Sequence, residues 1–455
     1  VFRRVLIANR GEIALRIVRA CRALGIESVA VYSEADQGAP WLRHATRSVC
    51  IGPARADRSY LDADSVLQAA EQTECQAIHP GYGFLSENAR FAARCEQQGI
   101  TFVGPGAGAI RRMGDKLEAK RTMAAAGLPV IPGPLEPLAS AGEAASVAAD
   151  LGYPVLLKAT AGGGGKGMRR CDDEAGVVRG FAEASREAEK AFGDPSLYVE
   201  KLLEGGRHVE FQVLADAHGS AVHLGERDCS IQRSHQKLVE ESPCPVLSSS
   251  DRAEIGPRVA AAVARIGYRN AGTVEFLREA SGRLYFMEMN TRLQVEHPVT
   301  EAVTGVDLVV EQFRIAALHP LAFAQEDIRP DGHALEFRIN AEDPEHDFRP
   351  DPGTIRAFDP PSTSRVGCGV RWDSAIEEGY KIPPHYDSLI GKLIVHGPDR
   401  REALEAASEA LCSLRIEGVA TTIPLHLRIL DDPAFRDGSY DIAFLATRPP
   451  ARAGR

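Results

Sequence analysis

Long apolar runs are missing from the sequence: no stretch approaches the roughly 20 residues that a membrane-spanning helix needs. The opening Val1-Phe2-Arg3-Arg4 has only a short apolar run before Asn9-Arg10-Gly11, so neither a secretion signal nor a membrane partner is expected. A basic excess is missing too. Lys and Arg number 53 against 63 Asp and Glu, a net charge of −10, which argues against nucleic acid as a partner because a phosphate backbone needs neutralising. Nine cysteines, at 21, 50, 75, 95, 171, 229, 244, 368 and 412, form no Cys-x-x-Cys pair and no zinc-like cluster with His. They are expected to be reduced, mostly buried thiols of a cytoplasmic protein. Internal repeats and low-complexity segments are absent as well. What is there, 455 residues with 44% hydrophobic and 25% charged side chains, fits a soluble globular chain of about three domains at roughly 150 residues each.

Residues 4–33 read as strand, Gly11 turn, helix over 13–24 and strand over 28–32, a βαβ unit. Helices over 62–72 and 88–97 then lead into short strands at Ala77-Ile78 and Thr101-Phe102-Val103. The alternation predicts a parallel sheet that collects ligands at the carboxyl ends of its strands. Pro129, Pro132, Pro134 and Pro137 break the pattern as a linker would. A helix-strand-glycine loop-strand-helix-strand block follows over about 140–203, and its flanking linker makes it a candidate mobile lid. From about 204 the period becomes 2, as in His208-Val209-Glu210-Phe211-Gln212-Val213-Leu214, which predicts a largely antiparallel sheet. A glycine- and proline-rich strand region over 333–396 and a helix over 400–413 come last.

After Leu156-Leu157-Lys158 comes Ala161-Gly162-Gly163-Gly164-Gly165-Lys166-Gly167-Met168-Arg169. Four adjacent glycines leave backbone N–H groups free to wrap an anion, and Lys158, Lys166 and Arg169 add positive charge around it. Phosphate is the natural ligand. A Walker A loop is ruled out, because Thr160 stands where its first Gly is required and Gly167 where Ser or Thr must follow the lysine. Gly162-x-Gly164-x-x-Gly167 matches the dinucleotide fingerprint in spacing only, since Met168-Arg169-Arg170-Cys171 reads as strand rather than as a helix start. A plain flexible loop is the alternative, set against the entropy that four adjacent glycines cost.

Thr273 to Leu277 and Leu284 to Asn290 flank Glu279-Ala280-Ser281-Gly282 and predict a hairpin. With Arg278 opposite Arg283, Glu275 falls opposite Phe286 and Glu288 lies on its diagonal, roughly 7–8 Å away between Cα atoms. Two carboxylates so placed can share a cation. Asn290, further along the same face, completes a set of hard oxygens suited to Mg²⁺ or Mn²⁺. If the chain stays extended, Glu288, Asn290, Arg292, Gln294 and Glu296 share one side, with Arg292 as an oxyanion holder and Glu296 as a base. A solvated face with surface ion pairs is the alternative.

The segment from Arg227 to Lys237 is too dense in hydrogen-bonding side chains to be core, and is expected as a surface loop or a site. Arg338 alternates with Leu335, Phe337 and Ile339 and so lies on the polar face of a strand, where an ion pair is its simplest role. His79-Pro80-Gly81-Tyr82-Gly83-Phe84 sits at the carboxyl end of a strand, where ligands are expected, although a tight turn would equally use its glycines.

With the glycine loop, the Glu275/Glu288/Asn290 hairpin and Arg292 to Glu296 assembled, the sequence closely resembles the biotin carboxylase component of biotin-dependent carboxylases, in the ATP-grasp superfamily. The resemblance runs from about residue 2 to 445. Its most specific segments are Ile7 to Ala14, His79 to Asn88, Gly163 to Arg169, Glu226 to Glu241, Glu288 to Thr300, Arg338 to Pro344 and Tyr386 to Lys392. It implies a mixed α/β and α+β architecture: an N-terminal Rossmann-like parallel-sheet domain over 1–112, an ATP-grasp domain over 113–320 with a mobile lid over about 132–203, and a C-terminal antiparallel-sheet domain over 333–445.

The resemblance also implies roles. Lys116 and Lys158 hold ATP; Gly164, Gly165 and Lys166 cover its phosphates; Glu200, Lys201, Leu202 and Leu203 line the adenine pocket. His208, Gln232, His235 and Lys237 surround the nucleotide and the reacting centre, and Glu275, Glu288 and Asn290 match the metal ligands. Arg292, Gln294 and Val295 match the bicarbonate site, Glu296 the base, Arg338 the cation that steadies biotin's enolate, and Tyr82 a residue near the biotin ring. The implied reaction is ATP-dependent carboxylation of biotin with bicarbonate through carboxyphosphate, using Mg²⁺ or Mn²⁺. It is the first half-reaction of an acyl-CoA carboxylase such as acetyl-CoA carboxylase, or alternatively of a propionyl-CoA, methylcrotonyl-CoA, pyruvate or urea carboxylase.

No Met-Lys-Met tripeptide for biotin attachment occurs, so biotin is expected on a carrier protein or domain in another chain or segment, with carboxyltransferase subunits as further partners and a homodimer as the family's assembly. Ser234 stands where the family often has a basic residue. Three other readings are weighed. A carbamoyl-phosphate-type ligase would also activate bicarbonate but would not turn over ATP in response to biotin. A non-catalytic nucleotide-binding subunit would have lost Arg292 or Glu296, and both are present. A dinucleotide oxidoreductase needs three glycines where Asn9-Arg10-Gly11-Glu12 has one.

Overall fold

The computed structural model describes residues 1–160 and 167–448. The chain opens with β1 (Arg4–Ile7), α1 (Gly11–Ala23), β2 (Glu27–Tyr32), β3 (Arg47–Cys50), α2 (Ala63–Gln72), β4 (Ala77–His79), α3 (Ala89–Gln97) and β5 (Thr101–Phe102). These strands make a parallel sheet in the order β3-β2-β1-β4-β5. Central β1 is buried along its whole length, as a strand covered on both faces must be. Asp62 and Asn88 start α2 and α3 by accepting from backbone N–H groups of their first turns. The carboxyl ends of β1 and β4 are tied together by Asn9, whose Nδ2 donates to the carbonyls of Pro80 and Tyr82, both at 2.7 Å. Gly81 has φ +64, and a Cβ there would meet Asn9 Nδ2 at 2.9 Å, so this turn requires glycine.

Helices α4 (Ala107–Gly114) and α5 (Lys116–Ala125) lead to a small unit made of α6 (Ala141–Leu151), β6 (Val155–Ala159), β7 (Met168–Cys171), α7 (Glu174–Phe192) and β8 (Leu197–Lys201). Its strands form an antiparallel sheet in the order β7-β6-β8. Then come β9 (Arg207–Ala215), β10 (Ala221–Arg233), β11 (Gln236–Ser242), α8 (Ser249–Arg265), β12 (Asn270–Arg278), β13 (Leu284–Asn290), α9 (His297–Thr304), α10 (Leu308–Ala316) and β14 (His333–Asn340). After the short β15 (Glu342–Asp343), β16 (Arg349–Pro350) and β17 (Ala357–Asp359) follow β18 (Gly369–Ser374), β19 (Leu389–Gly397) and α11 (Arg400–Ser413). A further helix, α12 (Ile423–Asp431), lies beyond. One eight-stranded antiparallel sheet, ordered β13-β12-β9-β10-β11-β14-β19-β18, runs from the hairpin of β12 and β13 into the C-terminal part of the chain.

Two local expectations are corrected. The hairpin pairs Arg278 with Leu284 rather than with Arg283, because Glu279 N bonds Arg283 O at 2.8 Å and so takes Arg283 into the loop. Continued without a break, that register would turn Glu288 away from Glu275. A bulge at Met287 inserts one residue, and Glu275 faces Glu288 directly. The segment from Arg227 onward is also not excluded from the core: Arg227, Asp228 and Ser230 are buried in β10. Burial is tolerated because every group finds a partner. Arg227 alone donates to Glu210, Gln212, Thr273, Gln294 and Thr300.

Candidate active site

A cavity of about 1490 Å³ lies between the small three-stranded unit and the large sheet. Its wall includes Lys116, Lys158, Glu200, Lys201, Leu202, Leu203, His208, Gln232, His235, Lys237, Glu275, Glu288, Asn290, Arg292, Gln294, Val295, Glu296 and Arg338. Gly164, Gly165 and Lys166 lie outside the described residues. Tyr82 is not part of the wall. Its hydroxyl bonds Glu12, and Lys392 lies 5.9 Å from its ring centroid.

At one end, Lys158 pairs with Glu200, and Lys120 Nζ reaches the other oxygen of Glu200 at 2.9 Å. Burial would raise Glu200, but the two ammonium groups overcome it and hold the carboxyl below its usual range. Burial and the nearby Lys158 pull Lys116 down. A cationic end with one fixed carboxylate suits a polyphosphate with a neutral or basic ring beyond it.

Another part of the wall is a lattice of charges on β9, β11, β12 and the coil after β13. Lys237 Nζ lies 2.6 Å from Glu210, 2.9 Å from Glu275 and 2.7 Å from Glu296. Burial lowers Lys237, yet these three carboxylates more than reverse it and keep the ammonium charged. Glu275 also accepts from Asn290 at 2.8 Å and from Gln294 at 2.9 Å, and its other oxygen lies 3.0 Å from His208 Nε2. Glu296 is 2% exposed and lies between Lys237 and Arg338, whose Nη2 is 2.9 Å away. Burial alone would raise Glu296, but the two cations hold it below the usual carboxylate range. Arg292 donates to Glu87 at 2.9 Å and to Asn290 at 3.1 Å.

The expected extended run from Glu288 to Glu296 is not what gathers these side chains. The strand ends at Asn290, and Glu296 has φ −81 and ψ 9. The coil closes on the cavity because Gln294 bonds both Glu275 and Arg227 while Lys392 Nζ holds the Val295 carbonyl at 2.8 Å. Between β10 and β11 the turn residues Ser234 and His235 both have positive φ, 48 and 66. A two-residue hairpin demands that conformation, and neither residue is glycine, so the turn holds strain at the cavity wall.

Glu275 and Glu288 face each other across the hairpin, and burial together with Glu275's charge pushes Glu288 up. Two opposed carboxylates and an amide fit a hard divalent cation.

Several residues of this lattice escaped the sequence reading. Glu210 could have been found: it shares with His208 and Gln212 the polar face of a period-2 strand. Glu87, Lys120, Glu240 and Lys392 carry no local signal, since each acts through a partner far away in sequence.

A parallel-sheet N-terminal part, a small three-stranded unit and a large antiparallel sheet closing on one polar cavity define the ATP-grasp class of nucleotide-dependent enzymes. Comparison with known proteins carries this further. Residues 1–110 match the family model of the biotin carboxylase N-terminal domain, 115–324 the carbamoyl-phosphate synthase L chain ATP-binding domain, and 336–447 the biotin carboxylase C-terminal domain. The chain is 51% identical to biotin carboxylase 1 of Bacillus subtilis over 448 residues, 98% of this chain and 99% of that one. It is also 51% identical to a pyruvate carboxylase subunit of Methanothermobacter thermautotrophicus, over 98% of this chain and 90% of that one. Among solved structures, the biotin carboxylase domain dimer of Hydrogenobacter thermophilus 2-oxoglutarate carboxylase, in complex with MgADP, ADP and bicarbonate, superposes with a TM-score of 0.94 at 48% identity, covering 100% of this chain and 99% of that chain. The chain belongs to the biotin carboxylase family, whose members are ATP-dependent ligases.

Proposed function

We propose that the chain carboxylates biotin, using ATP and bicarbonate, and that the cavity residues named above do it. The observation that carries this reading is the placement of Glu296 between Lys237 and Arg338 in the wall of the cavity. A base held below its normal range is a weak one. Both of its clamps are cations, however, and anionic substrates compete for them. Bicarbonate at Arg292, Gln294 and Val295 and the γ-phosphate near Lys237 draw those charges off Glu296, which then recovers basicity where it is needed.

Glu296 takes the proton of bicarbonate, whose oxygen attacks the γ-phosphorus of ATP, giving carboxyphosphate and ADP. Lys116, Lys158 and Lys237 neutralise the charge that develops, which is most of the catalysis in phosphoryl transfer. Carboxyphosphate breaks into CO₂ and phosphate. The phosphate removes the N1 proton of biotin, Arg338 steadies the enolate oxygen, and N1 attacks CO₂. Glu275, Glu288 and Asn290 would hold Mg²⁺ or Mn²⁺, which when bound supplies further neutralisation of the phosphates.

The division of labour follows the three expected parts: 1–112 closes the biotin side, 113–320 handles ATP with 132–203 as a lid over the phosphates, and 333–445 supplies Arg338. Biotin arrives on a carrier protein or domain, carboxyltransferase subunits take the product, and the working form is a homodimer. The final acceptor is chosen outside this chain, because relatives named for biotin and for pyruvate carboxylation match it equally, at 51%. The cytoplasm is its compartment, in keeping with the absence, among the described residues, of any helix long and apolar enough to cross a membrane. Incubation with free biotin, MgATP and labelled bicarbonate should yield carboxybiotin; bicarbonate-dependent ATP cleavage indifferent to biotin would overturn the reading.

A further inference from the structure

Arg338 is held from behind by a group that never reaches the cavity. Its Nε donates to Glu240 Oε1 at 2.6 Å, while Nη2 spans Glu240 and Glu296. Glu240, on β11, is fully buried. Directly opposite it on β14 stands Glu336, also fully buried and two residues before Arg338 on the same face. Neither carboxylate oxygen of Glu336 has a hydrogen-bond partner, and neither does Glu240 Oε2. An ionised carboxylate with no donor is not tolerated in such a place, whereas a neutral acid is.

We propose that Glu240 is the positioning residue that sets Arg338 toward biotin, and that Glu240 and Glu336 hold a single proton between them, carried by Glu336. The inference rests on the biotin-carboxylation reading above. An ionised Glu336 would compete with Glu240 for the guanidinium and draw it along the strand, away from the cavity. With Glu336 neutral, Arg338 has two anionic partners of different fates. Glu296 loses its charge when it takes the proton of bicarbonate, while Glu240 keeps its own and holds the guanidinium for the enolate that follows.

The surrounding charges agree. Glu240 faces Arg338 and Glu336 from β14, Lys237 from its own strand and Glu296 from the coil before α9, and Lys392 faces Glu336 from β19. Burial raises Glu240 to about 7 against the pull of Arg338, and raises Glu336 well above the usual carboxylate range against that of Lys392. Two buried carboxyls facing one guanidinium across adjacent strands therefore favour keeping one proton between them.

The test compares Glu240→Gln, Glu240→Asp and Glu336→Gln with the wild type. In Glu240→Gln the KM for biotin should rise about tenfold, with the KM for ATP changed by less than about twofold. The acid limb near pH 7 in kcat/KM for biotin should vanish, since an amide does not titrate. Glu240→Asp should recover part of the loss, and it replaces the amide variant if that one fails to fold. Glu336→Gln should cost less than Glu240→Gln. In difference infrared spectra at about pH 8, a protonated-carboxyl C=O band should be present in the wild type, persist in Glu240→Gln and disappear in Glu336→Gln. A folded Glu240→Gln with the biotin KM and pH profile of the wild type sinks the positioning role, and absence of the band sinks the shared proton. If the wild type shows no biotin-dependent ATP cleavage, the parent reading fails by itself, and the infrared band still decides where the proton sits.

Discussion

Two strands of this chain, β7 and β10, each carry an arginine paired to carboxylates, and the two pairs have little in common physically. Arg170 on β7 reaches Asp172 at 2.8 Å and Glu204 at 2.6 Å, with the three side chains 53%, 65% and 58% exposed. Arg227 on β10 reaches Glu210 at 2.6 Å with both side chains fully buried. The difference comes from position in the sheet. Strand β7 is an edge of a three-stranded sheet, open to water, whereas β10 is interior to the eight-stranded sheet and α9 covers its polar face through Thr300. An exposed pair is screened and contributes little. A buried one is weak evidence for stability as a pair, yet leaving one partner alone is severe. Charge in the cavity lattice is thus a set of mutual obligations, and on the outer edge strand of the small unit it is decoration.

The contrast breaks most visibly at Lys237, which alone faces Glu210, Glu275 and Glu296. Lys237→Met should destabilise the fold by about 3–5 kcal/mol, read as a lowered unfolding midpoint, because three buried carboxylates lose their common cation. Bicarbonate-dependent ATP cleavage should fall by about a thousandfold in the same variant. Near-normal kinetics would return this segment to a purely structural role. Next in size is Glu296→Gln, which should lower bicarbonate-dependent ATP cleavage by about 10²–10⁴-fold while leaving the KM for ATP nearly unchanged, since Glu296 pairs with Lys237 and Arg338 and not with Lys158, proposed to hold the nucleotide. An unaltered rate would remove Glu296 as the base.

The same lattice gives the protein a pH dependence of definite sign. Glu275 and Glu296 are buried, and Lys237 with its neighbours overrides that burial to hold both carboxyls below their usual range. Their contribution is present above the unfolded value of about 4.3 and is lost as pH falls through the lower folded values. Unfolding midpoints should therefore be level from about pH 5 upward with respect to these groups and drop below about pH 4. The drop should be shallower in a Glu296→Gln variant measured alongside the wild type.

How much of this was legible in the sequence follows from what each feature depends on. Strand alternation and the unlike mix of acid, amide and base after Glu288 are local, and they led to the parallel and antiparallel sheets and to the polar face of the hairpin, while the ATP-grasp fold and the family came from the resemblance carried by the assembled motifs. The register of that hairpin was not legible, because Arg283 belongs to its loop and a bulge at Met287 is needed to turn Glu288 back toward Glu275. Glu288→Gln, which removes one of the two carboxylates that the bulge brings face to face, should raise the Mg²⁺ concentration for half-maximal activity by about tenfold, a smaller effect than losing the base. Buried Arg227 was misjudged for a similar reason. A run of polar side chains looks unfit for a core until the strands that satisfy it, β9, β12 and the coil through Gln294, are known from the fold.

The smallest effect is expected on β7 itself. Arg170→Ala removes two ion pairs at once, as many carboxylate partners as Arg338 has among Glu240 and Glu296. If the number of salt bridges governed stability, it would rank beside the cavity variants. Exposure argues otherwise: water and salt replace Arg170 as a partner for Asp172 and Glu204, and no carboxylate is left in a dry environment. The unfolding midpoint of Arg170→Ala should match the wild type within error, at low and at high salt alike. A loss comparable to that of Lys237→Met would show that the small unit depends on its charges as the large sheet does. The core of the small unit, built from Leu138, Ala144, Val155, Leu157, Val177 and Val199, would then be the wrong place to look for what holds it together.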